Sequence, residues 1–338
     1  MNFNSKAIRK FAMENAIYIV LVLLIIVIAF QNPAFLSLNN FRNILIMSAT
    51  RIIIALGVGG ILITQGTDLS AGRMVGLAAV VSASMMQTVE YSRRFFPNLP
   101  QLPVIVPILI CIVLGIIIGF ANGLIVSKLN VPPFIATLGT MVIIYGMNSI
   151  YFALEPNSSQ PIGGLRTDFT NLGTGYIGPS GDYSIPYIVI IALLVALVVW
   201  VLYNKTTIGK YMYAIGGNPQ AARVSGINVT RVLILVYSFA GALYGLAGVL
   251  EAARTGGATN NYGNMYELDA IAACVVGGVS TSGGIGTVPG IVVGVLIFGV
   301  INYGLTFIGV NPYWQQIVKG LIIVFAVAFD IAKYYTKK

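Results

Sequence analysis

The feature that most constrains this chain is a series of nearly uncharged apolar runs, each close to the length of a bilayer crossing, recurring from residue 16 to residue 331. A transmembrane helix needs ~20 predominantly apolar residues, because hydrocarbon offers no water to the backbone and each N–H and C=O must be paired within the helix. The runs fall at 16–30, 43–65, 71–88, 104–127, 133–153, 185–203, 230–253, 267–282, 286–308 and 313–331. The expected fold class is an all-α polytopic membrane protein with about ten transmembrane segments. The third and eighth are short and polar enough to be broken or re-entrant. Only 9% of residues are charged, against roughly 25% in soluble domains, so the chain lacks the surface that water requires. The first run follows Lys6, Arg9 and Lys10 as a signal peptide would. QNPAFLSLNNF comes next instead of a small-residue cleavage site, so this run is expected to remain as the first helix.

The formal net charge is +9, but the basic residues are scattered near segment ends. That is the positive-inside pattern and not a phosphate-tracking surface, so nucleic acid is not expected as a partner. Lys6, Arg9 and Lys10 at one terminus and Lys333, Lys337 and Lys338 at the other put both termini in the cytoplasm, which requires an even number of spans. The connection at about 204–229, with Lys205, Lys210, Arg223 and Arg231, is then cytoplasmic, and about 154–184 is the longest external loop. Arg93 and Arg94 fall outside as exceptions to the rule. No linker divides residues 1–338, so one transmembrane domain is expected. Cys111 and Cys274 lie inside apolar runs and offer no disulfide framework. The absence of histidine removes the commonest metal ligand and the usual proton shuttle.

Small residues at four-residue spacing let helices approach closely in a membrane. Gly115, Gly119 and Gly123, Gly241 with Gly245, and Gly290 with Gly294 are read as packing positions of this kind. Among charges within the runs, Arg51 and Asp269 are candidates for internal pairing, and the spacing of Glu251 and Arg254 permits a pair on one helix face. Snorkelling to the interface is the expectation for Arg254, Glu267 and Lys319. Tyr262, Tyr303, Tyr313 and Trp314 read as an interfacial belt, with sugar contact as the other reading. GTGYIG at 173–178 matches the dinucleotide fingerprint by letter only, and Gly209-Lys210 lacks the rest of a phosphate loop. No catalytic or metal constellation is present in the sequence.

Two polar breaks interrupt the apolar pattern on the same side of this topology, QGTDLSAGR at 65–73 and GGVSTSGGIGTVPG at 277–290. For Asp68 and Ser70 one reading is a tight turn with an N-cap, and the other is a gate or pathway, since irregular backbone near a membrane persists only in protein or beside a cavity.

The segment AIGGNPQAARVSGINVTR at 214–231 is too long for a mere connector. Asn218 suits an N-cap, Pro219 the first helical position, and Gly226 a left-handed C-terminal cap. A helix of about two turns is too short and too weakly apolar to hold itself on lipid, so a receiving protein is expected.

This segment resembles the cytoplasmic coupling helix of bacterial ABC importer permeases of the monosaccharide group that serves ribose, galactose, xylose and their relatives. Gly217, Asn218, Ala221, Ala222, Ser225, Gly226 and Ile227 match its pattern. TDLSAG at 67–72, EAARTGG at 251–257 and ELDAIAACVVGGVSTSGGIGT at 267–287 resemble other elements of the family, so the resemblance covers essentially the whole chain. The family's usual Asp-Leu-Ser-Val-Gly-Ser differs here at Ala71 and Arg73. QGTDLSAGR, ATNNYG at 258–263 and INYGLTFIGVNPYWQ at 301–315 are most similar to the galactose/methyl galactoside branch.

The resemblance implies the ten-helix, type II-like importer fold in a bacterial inner membrane, with two copies of the chain forming the path. It also implies a cytoplasmic ABC ATPase that holds ATP and magnesium, and a periplasmic sugar-binding protein. No cofactor is expected on this chain itself. Coupling to the ATPase is expected at Gly217, Asn218, Pro219, Ala221, Ala222, Arg223, Ser225 and Gly226. Path or gate residues are expected among Asp68, Ser70, Asn260, Asn261, Asn302 and Tyr303. A permease for ribose or xylose is the alternative within the family. An ion-coupled secondary transporter would favour carboxylates or histidines at mid-membrane, and a receptor would bring a soluble signalling domain; neither signature is present.

Overall fold

The computed structural model describes residues 16–178 and 184–335. Lys6, Arg9, Lys10, Lys337 and Lys338, on which the expected orientation of the termini rests, lie outside the described residues. The helices in chain order are α1 (Ala16–Gln31), α2 (Leu38–Ile63), α3 (Ala71–Met85), α4 (Ile105–Lys128), α5 (Pro133–Ala153), α6 (Thr167–Thr174), α7 (Tyr187–Lys205), α8 (Thr207–Gly217), α9 (Pro219–Val224), α10 (Val229–Thr255), α11 (Tyr266–Val276), α12 (Val288–Phe307) and α13 (Pro312–Tyr335). The chain is a multi-pass membrane protein. Among the described residues, six helices are long and apolar enough to cross a bilayer: α2, α4, α5, α7, α10 and α12. The expectation of about ten is not met by this criterion. The third expected span is a helix of 15 residues, and the eighth shrinks to the 11 residues of α11 before GGVSTSGG unwinds it. Sequence chemistry explains the ends: Ser37 Oγ accepts from Asn40 N at 3.3 Å ahead of α2, and Thr287 Oγ1 accepts from Gly290 N at 3.2 Å ahead of α12.

α2 and α10 are mostly buried at the centre, while α4, α5 and α7 are mostly exposed around them. Exposed Leu109, Val113 and Ile117 on α4 suit a lipid-facing surface. The inner face of α4 runs along α10 at glycine distance. A Cβ on Gly115 would overlap the Gly241 carbonyl oxygen, and one on Gly241 would overlap that of Gly115. The four-residue glycine spacing therefore does pack helices, as expected.

The connections gather at two ends. At one lie the breaks at 65–70 and 277–287 together with α8 and α9. At the other, Gln87 bridges to Leu165 and Ile162 to Ala258, joining the 86–104, 154–186 and 256–263 connections. The expected loop at 154–184 is not without structure: it carries α6 and the two-residue strand β1 (Tyr176–Ile177), which pairs antiparallel with β2 (Ile185–Pro186). Arg94 is nearly buried there and donates to the carbonyls of Pro97 and Leu99 at 3.1 and 2.5 Å. That local role accounts for an arginine on the less basic end.

Candidate functional site

α9 forms for local reasons. Asn218 Oδ1 accepts from Gln220 N at 2.9 Å and Ala221 N at 3.0 Å, and Pro219 opens the helix with its φ already restricted. At the other end Gly226 N bonds to Arg223 O and Ile227 N to Ala222 O, both at 3.0 Å, with Gly226 at φ +83°. This is the left-handed cap that glycine adopts readily. Ala222 is buried and anchors the helix, whereas Gly217, Asn218, Ala221, Arg223, Ser225 and Gly226 are exposed and Pro219 is half-buried. Val224, which sequence reading passed over, is 91% exposed, an apolar knob on a polar helix.

α8, also not anticipated, ties this element to both polar breaks. Gln65 Nε2 donates to Gly216 O at 3.0 Å, Gly284 N to Ile63 O at 2.9 Å, and Tyr213 Oη to Gly286 O at 2.9 Å. Gly216 is so close to its neighbours that a Cβ would overlap Ile63 O and Gly284 N. The Gly216-Gly217 pair was the available signal.

Asp68 is 1% exposed, and its Oδ1 accepts from Ser70 N at 2.9 Å and Ser70 Oγ at 2.6 Å. Asn122 Nδ2 donates to Ser70 Oγ at 3.0 Å, and Thr140 Oγ1 to Asn122 Oδ1 at 2.6 Å. The turn is thus pinned to α4 and α5. Ser70 stands at the N-cap of α3 without a side-chain capping bond, because its hydroxyl is turned to Asp68.

A cavity of about 220 Å³ opens between α2, α10, α11, α12 and α13 and includes Ser48, Arg51, Arg254, Asp269, Phe298, Asn302 and Lys319 in its lining. Arg51 Nη1 stands 3.6 Å and Lys319 Nζ 3.4 Å from Asp269 Oδ2. Arg254 Nη2 bonds to Glu251 Oε1 at 2.7 Å, and the same carboxylate accepts from Thr50 Oγ1 at 2.8 Å and Tyr266 Oη at 3.0 Å. The pairing expected of Arg51 with Asp269 and of Glu251 with Arg254 is therefore present. Arg254 and Lys319, expected to snorkel, each stand beside a carboxylate of the protein, Glu251 and Asp269 respectively. Glu267 is likewise buried, at 7% exposure.

The six path candidates are not brought together. Asn302 lines the cavity, but the next residue on α12, Tyr303, donates from Oη to Asn40 Oδ1 at 2.5 Å and accepts from Asn43 Nδ2 at 3.2 Å. Asn260 O accepts from Asn148 Nδ2 at 3.3 Å, and Asn261 is exposed. Asp68 and Ser70 are enclosed elsewhere. Among the described residues, no His, Cys, Asp and Glu cluster is able to hold a metal ion.

Residues 40–327 match the family model described as branched-chain amino acid transport system / permease component. The chain is similar to the galactose/methyl galactoside import permease protein MglC of Haemophilus influenzae, 57% identical over 96% of both chains. Its similarity to MglC of Escherichia coli is 55% over 99% of both, and to the ribose import permease protein RbsC of Escherichia coli 37% over 96% of both. No solved structure matches the chain. With apolar crossing helices, a capped helix projecting at one end and a family match over most of its length, this chain belongs to the branched-chain amino acid transport system / permease component family of membrane permeases.

Proposed function

We propose that this chain is the membrane permease of an ATP-driven, binding-protein-dependent sugar importer that carries galactose and methyl galactosides as intact neutral sugars. The observation that carries the reading is near full-length identity of 57% and 55% to two galactose/methyl galactoside import permeases, against 37% to a ribose import permease. The geometry supports it through α9, a rigidly capped and exposed helix joined by α8 to both polar breaks.

In this reading two copies of the chain form the path in the bacterial inner membrane. The six long helices, with α1 and α13 and with the short α3 and α11 as broken or re-entrant segments, supply about ten transmembrane segments, and both termini are cytoplasmic. Gly217 to Gly226 engage an ABC ATPase subunit, which holds ATP and magnesium and carries out hydrolysis, so this chain is a permease and not an enzyme. A periplasmic sugar-binding protein delivers sugar at the opposite end. Asn260, Asn261, Asn302 and Tyr303 remain the proposed path residues, met at separate points along the way by a neutral hexose, which needs no obligatory ion pair.

Reconstitution with the cognate ATPase and binding protein tests the proposal. ATP-dependent uptake of labelled galactose and methyl galactoside is expected to exceed that of ribose or xylose and to survive collapse of proton and sodium gradients. Import of ribose without galactose would overturn the substrate, and uptake that follows an ion gradient without ATP would overturn the mechanism.

A further inference from the structure

The connection between α10 and α11 enters the membrane without being helical. It starts at the end of the molecule where Ala258 bridges to Ile162. From there Tyr262 packs against Gly76 and Gly263 against Gly72, so closely that a Cβ on either α3 glycine would overlap a carbonyl oxygen of the connection. Gly72 and Gly76 stand thirteen and nine residues before Met85, where α3 ends beside the same gathering of connections. At 1.5 Å per residue the contacts therefore lie ~14–20 Å along the helix from that end. A hydrocarbon core is about 30 Å thick, so the connection descends to its middle. Asn261, Asn264 and Met265 are nonetheless exposed. Irregular backbone facing lipid at that depth finds no partners, and persists only inside protein or beside water. Half-exposed polar side chains adjoin it. Arg73 Nη2 donates to Asn264 Oδ1 at 2.7 Å, and its guanidinium lies 4.4 Å from the ring centre of Tyr145 on α5. Further along α11, Asp269 lies beside Arg51 and Lys319, whose side chains are 28% and 26% exposed.

We propose that this face, the descending connection with Arg73 and α11 between α5 and α13, is the one a second copy of the chain covers, and that the connection borders a water-filled gap between the two copies. The inference rests on the reading of the chain as a permease whose path two copies form, and it names the face. A second copy suits the face better than lipid for two reasons. Hydrocarbon would leave the connection's backbone and the charged side chains unsolvated, whereas a gap between copies admits water to them. The flanking helices are also shaped for contact. α5 packs on α3 and α13 on α11, one on each side of the connection, and both turn largely exposed apolar surfaces outward. A Cβ on Gly139 or Gly146 of α5, or on Gly320 of α13, would meet no atom of this chain, which leaves room for a neighbouring helix to come close. The arrangement also explains why the gap stays wet. A two-fold axis brings the same patch of both copies together. Arg51 and Lys319 share the single carboxylate of Asp269, so two such faces carry excess positive charge toward each other and repel. Dry contact therefore falls on the α5 and α13 rims, with water between the recessed polar groups.

The test counts copies of the fluorescently labelled full-length chain in lipid vesicles by single-molecule photobleaching. Gly139→Trp combined with Gly320→Trp adds bulk that meets nothing within one chain, and is expected to lower the ratio of paired to single copies about fivefold or more. Val113→Trp, on the exposed side of α4, is expected to leave that ratio unchanged. Gly139→Leu with Gly320→Leu serves as a milder variant if the tryptophans prevent insertion. Pairing that survives in the inserted glycine variants, or that is lost through Val113→Trp instead, would overturn the face and leave it to lipid. A second measurement reads the water. A charged thiosulfonate, which reacts with thiols in water and not in hydrocarbon, is expected to modify Met265→Cys and to spare Leu197→Cys on the exposed side of α7, the native Cys111 and Cys274 being buried. An unreactive Met265→Cys would overturn the water-filled gap. Galactose uptake by the wild type with its ATPase and binding protein separates the two claims: intact uptake alongside either contrary result removes the face alone, whereas absent uptake counts against the sugar-permease reading itself.

Discussion

Gln65 and Gly216 are joined by a hydrogen bond of 3.0 Å from the side-chain amide of one to the backbone carbonyl of the other. Gln65 is the second residue beyond α2, at φ +64°, and Gly216 lies one residue from the end of α8. The bond links the central, most buried helix to the exposed element that carries α9. One side chain and one backbone carbonyl therefore hold the 65–70 break against α8, the helix that precedes α9.

If that link transmits motion, Gln65→Ala should reduce the sugar transported per ATP hydrolysed while costing only about 0.5–1.5 kcal/mol of stability. Gly216→Ala should cost more, about 1–3 kcal/mol, because its Cβ meets backbone atoms of Ile63 and Gly284 that have no rotamer to change. Thermal unfolding in detergent and coupled uptake and ATPase assays measure both effects. Equal stability of Gly216→Ala and wild type would contradict the close approach.

Charge reversal by Arg223→Glu alters the exposed face of α9, and Gly226→Val puts a β-branched residue at φ +83°, where it is strained. Both variants should insert normally but bind the ATPase poorly or hydrolyse ATP without transport. The measurement is ATPase copurification together with uptake, and wild-type uptake in both variants would remove the coupling role.

Glu251 is 2% exposed and paired with Arg254. Arg254→Met alone leaves a buried carboxylate uncompensated and should destabilise the protein by about 3–5 kcal/mol. Adding Glu251→Gln removes the charge and should recover much of that loss. A double variant no more stable than Arg254→Met, followed by thermal melting, would show that the pair is not the source of the cost.

Thr170→Cys on α6 and Gln220→Cys on α9 lie at the two ends described above. The first should react with an impermeant maleimide on intact cells and the second only after permeabilisation, following the basic cluster around α8 and α9. Labelling of both from one side would break the topology.

By itself the sequence determined what is settled within a few residues along the chain. Apolar runs determine that helices cross the membrane, because backbone polar groups in hydrocarbon have no partner but their own helix. Asn218-Pro219 and Ser225-Gly226 determine where α9 starts and stops, because capping is a matter of adjacent donors, acceptors and φ angles. The glycine repeats of α4 and α10 announced a close contact for the same local reason. Only the tertiary structure decided which helix faces meet. In a membrane, lipid-facing and protein-facing surfaces are both apolar, so hydrophobicity does not tell inside from outside. Lys319 therefore reads as a snorkelling residue until Asp269 is seen beside it. That the turn of Asp68 and Ser70 is held by Asn122 on α4 and Thr140 on α5 is likewise decided by the fold. The cavity lined in part by Ser48, Arg51 and Asn302 has no sequence signature, since α2, α10, α11, α12 and α13 contribute to it from stretches far apart in the chain.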